Sequence, residues 1–294
     1  MTIIDAHHHV WRRADLPWLL GPTQPRIFGP YDPIKRDYSV AEYTADLSGT
    51  GVEKSVYVQA NWAPNWFVDE ARFVANLAEE TGWPHAIVAY CDMTQADARA
   101  DLDRLAALPL VRGIRHQMHW HEEPLYRFAG SADVVGSPAV QHNVAALSDY
   151  GFVFELQIFA GQITPALQLV DACPDVTFVL QHALMLVDTS EAGWSAWQAA
   201  MADLAARDNV VCKLSGLGTF LRHNDPGHIR AIATEAVDLF GADRCLFGSN
   251  FPIEKLWTDY GALLKAHQDA LAERTTEERA AIFHTTAERI YRLA

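Results

Sequence analysis

This sequence of 294 residues is short of basic side chains and has no long apolar run. Lys and Arg number 23 against 37 Asp and Glu, which gives a formal net charge of −14. Because nucleic acids and anionic membranes attract basic surfaces, we expect neither as a partner. No apolar stretch is long enough for a transmembrane helix, and the first residues lack a secretory-signal pattern. These absences favour a cytoplasmic protein that acts on a small molecule, and they leave a homodimer open.

Cysteine is also scarce, and several familiar motifs are missing. Cys91, Cys173, Cys212 and Cys245 are widely spaced and form no C-x-x-C pair, so we expect buried, reduced thiols. The sequence contains no G-x-G-x-x-G, P-loop or G-x-S-x-G motif. Nucleotide binding and serine-hydrolase chemistry therefore have no support from sequence motifs.

The sequence does contain eight short apolar, β-prone runs, and polar residues follow nearly every one. The runs cover residues 2–6, 54–58, 86–90, 111–114, 152–156, 176–180, 210–212 and 245–247. Segments with helical spacing of apolar residues lie between them, at 69–80, 98–108, 138–150, 164–172, 194–206 and 227–240. Continuous apolar runs are typical of parallel strands that are buried on both faces. Eight such units predict an α/β fold, a single (β/α)8 TIM barrel domain over residues 1–294.

Four of the predicted connections that follow strands are long. They cover residues 10–38, 117–136, 216–226 and 251–259, and several of them are rich in aromatic residues. Loops of this length in a compact domain are usually functional, and in TIM barrels the loops after the strands build the active site. We therefore expect enlarged βα loops around one polar mouth, with aromatic walls that suit a cyclic organic substrate.

Histidines follow the first and sixth predicted strands. Side chains alternate along a strand, so His7 and His9 are expected on one side and His8 on the other. Two imidazoles on one side can share a divalent metal ion, and His182 after the sixth strand is the best-placed third ligand. The alternative is that these histidines only form hydrogen bonds at a polar barrel mouth.

Other polar side chains at the predicted mouth suit an oxygen-rich substrate. Arg115 ends the fourth strand, and its planar fork can hold a carboxylate through two hydrogen bonds. The further candidates for substrate binding are Gln59, Asn61, Gln157 and His116. Lys213 stands in an apolar strand, where it could contact an oxyanion or carboxylate, form a structural ion pair, or act as a Schiff-base nucleophile.

Four motifs resemble those of the amidohydrolase superfamily. They are I-D-A-H-x-H-x-W from Ile4, Q-H-A around His182, K-L-S-G from Lys213 and L-F-G-S-N-F-P from Leu246. The closest branch is the amidohydrolase-2 group, which includes 2-pyrone-4,6-dicarboxylate lactonase and the sugar lactonases. The resemblance spans the chain and implies a hydrolytic centre in which His7, His9 and His182 take the histidine positions. Some members of the group bind a divalent metal there, with zinc the expected ion here, whereas others work without metal.

Asn250 is the departure from this pattern. The lactonases have an aspartate at this point, whereas this chain reads Gly248-Ser249-Asn250-Phe251-Pro252. An aspartate could bind metal and accept the proton of the attacking water, whereas an asparagine cannot be a base. Its carbonyl oxygen can still orient water, and its amide can donate to a substrate oxygen. A substitute base is then sought among His182, His116, Asp92 and Glu254.

The resemblance predicts an enzyme of the lactonase-like hydrolase class. Water would attack the carbonyl of a small cyclic ester, which could carry a carboxylate for Arg115, with His7, His9, His182, Asn250 and Lys213 as the catalytic set. Two alternatives stay open on the same scaffold. One is a lyase, a decarboxylase or hydratase, and the other is a ligand-binding homologue without catalysis, suggested by Asn250.

Overall fold

Eight parallel strands follow one another in sequence order around a barrel in the computed structural model, which describes residues 2–293. The strands are β1 Ile3–His8, β2 Val52–Val58, β3 Ala86–Ala89, β4 Val111–Arg115, β5 Val153–Leu156, β6 Phe178–Leu180, β7 Val210–Leu214 and β8 Cys245–Phe247. The ring closes where the backbone N–H of His9 donates to the Phe251 carbonyl at 2.8 Å. The predicted TIM barrel is therefore confirmed, and every predicted strand is present within a few residues.

Helices surround the barrel and connect its strands. They are α1 Pro17–Leu20, α2 Val40–Asp46, α3 Phe67–Thr81, α4 Arg99–Ala106, α5 Pro138–Ala145, α6 Leu147–Tyr150, α7 Ile163–Ala172, α8 Glu191–Ala205, α9 Pro226–Phe240, α10 Tyr260–Ala270, α11 Thr276–Ala280 and α12 Thr286–Tyr291. The predicted helix at 138–150 is split into α5 and α6, and the other five predicted helices are each continuous. None of the helices within residues 2–293 is long and apolar enough to cross a bilayer.

Two hydrophobic clusters fill the fold. The larger one lies between the strands and the helices, and the smaller one fills the barrel interior with residues such as Ile4, Val56 and Leu246. Ile290 and Tyr291 of α12 belong to the interior cluster, so the C-terminal helix closes the barrel end opposite the polar mouth. The cysteines are buried and unbonded to one another, as expected for small apolar side chains in a core.

The first βα connection is held over the mouth by its own two ends. Trp11 and Tyr38 form an antiparallel bridge, in which each backbone N–H donates to the carbonyl of the other residue. Helix α1 lies between them and begins at Pro17, whose fixed backbone angle suits the first helical position. The enlarged loop predicted from residues 10–38 is thus an ordered cover that contributes to the cavity described below.

Candidate active site

A cavity of about 570 Å³ opens at the carboxyl ends of the strands. All eight strands or the turns that follow them contribute to its wall. One lining residue from each, in strand order, is His9, Gln59, Tyr90, Arg115, Gln157, His182, Gly216 and Asn250. The strand ends therefore meet at one site, as a TIM barrel requires.

An irregularity in β1 turns two histidines into this mouth. Ala6 belongs to the cluster that fills the barrel interior, so strict alternation would place His8 on the inside and His7 on the outside. The register of β1 against β2 shifts between Asp5 and His8, and the side chains after the shift are reversed. His9 consequently lines the cavity and His7 packs against His9 and His182, whereas His8 lies outside, stacked on Tyr43 at 3.9 Å between ring centroids.

The three predicted histidines lie together at the base of the mouth. The ring centroid of His7 is 4.8 Å from that of His182 and 5.1 Å from that of His9. Nδ1 of His9 contacts the Val58 carbonyl oxygen at 2.6 Å, and Nδ1 of His182 contacts the Ser215 carbonyl oxygen at 3.1 Å and the Ser215 hydroxyl at 2.9 Å. Because a carbonyl oxygen can only accept, both Nδ1 atoms carry the proton and both Nε2 atoms are unprotonated.

Burial keeps these imidazoles neutral. It lowers the pKa of His9 and of His182 to about 3, and it lowers the pKa of His7 well below its ordinary value. Neutral imidazole is the form that binds metal ions. The same low pKa makes each of these histidines a weak proton acceptor near neutral pH, since an effective general base has a pKa near the working pH.

Two glycines make room for the histidines. A Cβ atom at Gly248 would lie 2.7 Å from the Cβ atom of His7, which is closer than carbon atoms can approach. A Cβ atom at Gly216, whose φ is +61°, would lie 2.7 Å from Nδ1 of His182. A side chain at either position would therefore displace an imidazole, and the glycines of the K-L-S-G and L-F-G-S motifs have a direct structural role.

The donor chemistry of the three histidines matches a divalent metal, but no acidic ligand accompanies them. Both ring nitrogens of His7 are buried without a hydrogen-bond partner within residues 2–293, which suits a nitrogen reserved for a ligand. Over the same residues, no three His, Cys, Asp or Glu side chains are grouped as a metal-binding set. The three histidines are thus adjacent without forming such a set, and no acidic side chain of the described cavity lining completes one.

The turn after β6 has an unusual backbone. Residues 182–185 all have positive φ, from 44° to 63°, and Asn61 and Asn250 at the rim share this left-handed conformation. Left-handed backbone costs about 1–2 kcal/mol per non-glycine residue, although asparagine tolerates it better. Such strain is concentrated at functional sites, where it fixes the direction of a side chain, here that of His182.

Asn250 is bonded to a buried carboxylate. Its Nδ2 atom donates to Oε1 of Glu254 at 3.4 Å, and Thr219 Oγ1 donates to the same oxygen at 3.1 Å. Trp257 Nε1 donates to the other oxygen at 2.9 Å. Burial raises the pKa of Glu254 to about 7. Thr219 was not identified from the sequence, where only the loop 216–226 was expected at the mouth.

Arg115 is buried at the cavity and pairs with no acidic side chain of residues 2–293. Its side chain is 3% exposed, and it donates to the Gln181 side-chain oxygen at 3.2 Å and to the Gln59 carbonyl oxygen. Burial lowers its pKa to about 10, so it keeps its charge at neutral pH. Arg26 also lines the cavity, and the described lining contains no Asp, Glu or Lys. A protein of strongly negative charge thus carries a positive site.

The other predicted polar residues divide into two groups. Gln59, Asn61 and Gln157 line the cavity. Among residues 2–293, Nε2 of Gln59 and Oε1 of Gln157 have no hydrogen-bond partner. His116 lies outside the lining, where Nδ1 accepts from the Met93 backbone N–H at 3.1 Å.

Lys213 lies in a buried ion pair beneath the cavity. Its Nζ atom is 2.8 Å from both carboxylate oxygens of Glu155, and both side chains are 0% exposed. Gln181 and Tyr291 also donate to this carboxylate. Of the alternatives drawn from the sequence, the structural ion pair is the one that this geometry matches. Glu155, which provides the opposite charge, was not identified from the sequence.

Comparison with known proteins identifies the family. The amidohydrolase family model matches residues 4–293. The chain belongs to the amidohydrolase family. A protein of Sinorhizobium fredii is 32% identical over 100% of this chain and 99% of its own length. An L-fucono-1,5-lactonase of Burkholderia multivorans is 31% identical over 99% of this chain and 96% of its own length.

A solved structure adds a zinc-containing relative. It is an amidohydrolase of Burkholderia multivorans with bound zinc, 28% identical over 100% of each chain, with a TM-score of 0.83. The family predicted from the four motifs is therefore confirmed, and with it the prediction of a hydrolase. The zinc belongs to that relative, and this amidohydrolase brings His7, His9 and His182 together at the base of its own mouth.

Proposed function

We propose that this amidohydrolase opens a small cyclic ester that carries a carboxylate. The buried guanidinium of Arg115 carries this proposal, because it meets only neutral acceptors in a cavity wall without acidic side chains. A buried charge is costly unless it is paired, so a negatively charged substrate would complete the site. The lactone-hydrolysing relatives support the ester, and the arginine supports the carboxylate.

The remaining wall can cover the faces of a ring. Trp11, Trp18, Phe28, Trp62 and Phe220 line the cavity together with the amides of Gln59, Asn61 and Gln157. Aromatic walls bury apolar ring faces, and amides can bond to ring oxygens. The carboxylate makes the substrate class that we propose different from the L-fucono-1,5-lactone that gives the relative its name.

The residues of the mouth have different roles in the proposed hydrolysis. Arg115 would hold the carboxylate and so fix the ring, while the unpaired Nε2 atom of Gln59 would donate to the carbonyl oxygen. The unprotonated Nε2 atoms of His9 and His182 would accept hydrogen bonds from the attacking water and orient it. We assign Lys213 a structural role, since its ammonium group already forms an ion pair with Glu155.

A divalent ion would be held by His7, His9 and His182 through their neutral ring nitrogens. When bound, such an ion would supply Lewis-acid chemistry to an ester carbonyl. With no carboxylate among its ligands, we expect weak binding and partial occupancy. The residue roles given above do not depend on the ion.

A matched pair of lactones tests this function. We expect turnover of 2-pyrone-4,6-dicarboxylate to exceed turnover of uncharged 2-pyrone and of L-fucono-1,5-lactone, measured with and without chelator beside elemental analysis of the purified protein. Preference for the neutral lactones would contradict the anionic substrate. Release of carbon dioxide without ring opening would instead identify a decarboxylase.

A further inference from the structure

Glu254 is a buried carboxylate with no cation beside it. It lies in the turn after β8, is 0% exposed, and forms no ion pair within residues 2–293. The three groups that contact its oxygens are all neutral donors, which are the Thr219 hydroxyl, the Asn250 amide and the Trp257 indole. A buried carboxylate in this setting changes charge near neutral pH, as a proton acceptor in catalysis must.

The carboxylate lies one hydrogen bond behind the cavity wall. Thr219 and Asn250 line the cavity and Glu254 does not, so any proton that reaches Glu254 from the cavity has to pass through a neighbour. The amide of Asn250 cannot readily pass a proton, whereas the Thr219 hydroxyl can accept one proton while it donates another. Gly218 allows this close packing, because a Cβ atom there would lie 3.2 Å from Glu254 Oε2.

The other candidate bases are less suitable. His9 and His182 have a pKa of about 3, so they bind a proton too weakly near neutral pH. His116 lies outside the cavity lining, where it sits 3.7 Å from Asp92, which is also outside the lining. The site therefore lacks an effective base at its surface, and the sequence lacks the aspartate at position 250.

We propose that Thr219 and Glu254 form a proton relay for the hydrolytic water, an inference that rests on the proposed ester hydrolysis. The water oxygen bonds to the carbonyl carbon while its proton passes to Thr219 Oγ1, and the hydroxyl proton of Thr219 passes to Glu254 Oε1. When the ring C–O bond breaks, the proton returns by the same path to the leaving oxygen. Thr219 is the catalytic residue, and Glu254 is a positioning residue that stores the proton.

The titratable groups nearest to Glu254 should not mask its change of charge near pH 7. Lys255, its neighbour in sequence, pairs with Glu42 and Asp46 instead. On the β1 side, His9 beyond Asn250 is neutral near pH 7. In the loop after β7, the imidazole of His223 is exposed to solvent. A change of rate near pH 7 that depends on both Thr219 and Glu254 would therefore report this pair.

The kinetic test uses 2-pyrone-4,6-dicarboxylate as the probe. We expect kcat/KM of the wild type to rise with pH through an apparent pKa near 7. Glu254→Gln and Thr219→Val should each remove this rise and lower the rate by about 10²–10⁴-fold, the usual contribution of general base catalysis. The double variant should be no slower than either single one, because the two residues act as a unit. Thr219→Ser, which keeps the hydroxyl, should restore the pH dependence.

A purely structural role would give a different pattern. Glu254→Gln would then lower stability, while the rise of kcat/KM near pH 7 would persist in both variants. That outcome overturns the relay. The proposed function fails separately, if the wild type opens none of the lactones.

Infrared spectroscopy tests the relay without any substrate. The carbonyl band of protonated carboxyl groups should grow as the pH falls through about 7 and should be weaker in Glu254→Gln, where the buried Glu70, whose pKa is also raised to about 7, still contributes. Thr219→Val should move the Glu254 part of this titration, taken as the difference from Glu254→Gln, to higher pH, because it removes a hydrogen bond to the carboxylate form. A Glu254 band that titrates near the ordinary glutamate pKa of 4.5, or that ignores Thr219→Val, would overturn the relay.

Discussion

The barrel interior and the cavity wall each contain a buried cation, but the two cations meet opposite surroundings. Lys213 contacts both oxygens of Glu155, whereas Arg115 contacts only neutral acceptors. Gln181 joins the two regions, because its amide donates to Glu155 and its oxygen accepts from Arg115. One charge is therefore neutralised within the protein, and the other is left for a ligand.

The buried carboxylates show the same contrast. Glu155 has a lysine beside it, whereas Glu254 has hydroxyl, amide and indole donors and a pKa raised to about 7. Burial alone thus does not distinguish a structural group from a functional one. For these two carboxylates, the difference is that Glu155 meets its opposite charge within the chain and Glu254 does not.

The largest effect should come from breaking the paired cation. Lys213→Met leaves Glu155 buried and alone, and loss of one partner of a buried pair costs about 3–5 kcal/mol. We expect this loss in the free energy of unfolding, measured by urea denaturation. Combining Lys213→Met with Glu155→Gln should recover part of the loss. If Lys213→Met alone costs less than about 1 kcal/mol, its pair with Glu155 is as weak as an exposed salt bridge, which would contradict this prediction.

The unpaired cation should affect substrate choice rather than stability. Arg115→Ala should cost about 2–5 kcal/mol in kcat/KM for 2-pyrone-4,6-dicarboxylate and much less for uncharged 2-pyrone. Arg112→Ala is the matched control, since Arg112 lies on the same strand and donates to backbone carbonyls outside the cavity. Equal losses on both lactones would mean that Arg115 is structural.

Adding a negative charge to the cavity wall at position 250 should strengthen metal binding by the three histidines. Asn250→Asp supplies the negative ligand that the three histidines lack, and we expect about tenfold tighter zinc binding, or about 1.4 kcal/mol. Isothermal titration calorimetry and elemental analysis, beside lactone hydrolysis, give the comparison with wild type. A wild type that already holds one full equivalent of metal and loses activity on this change would refute the interpretation.

The last prediction concerns stability against pH. The folded pKa of Glu254 is about 7, against 4.5 for an ordinary glutamate, so the native state binds the proton more tightly than the unfolded state. Its contribution to stability is full below pH 4.5 and is lost as the pH rises to about 7, by about 1 kcal/mol per pH unit. Glu254→Gln should lose this slope relative to wild type in urea unfolding. Buried histidines give the opposite slope, but they cancel in the difference because both proteins contain them.

Much of the site could be predicted because strand ends are visible in a sequence. His7, His9, His182, Arg115, Gln59 and Asn250 all follow apolar runs, and the structure brings them to one mouth. Thr219 and Glu254 could not be identified as a pair from local patterns. They lie 35 positions apart on different loops, and only folding brings the hydroxyl and the carboxylate within 3.1 Å.

By itself, the sequence determined the order and type of the elements, because periodicity and the polar residues after each strand are local properties. The tertiary structure decided which charges meet. Glu155 lies 58 positions from Lys213 and neutralises its charge, whereas Arg115 donates to neutral acceptors. The register shift in β1, which turns the predicted His7 and His9 toward His182, also depends on pairing with β2. Both results arise from contacts between distant segments, and electrostatic pairing and burial have no local signature.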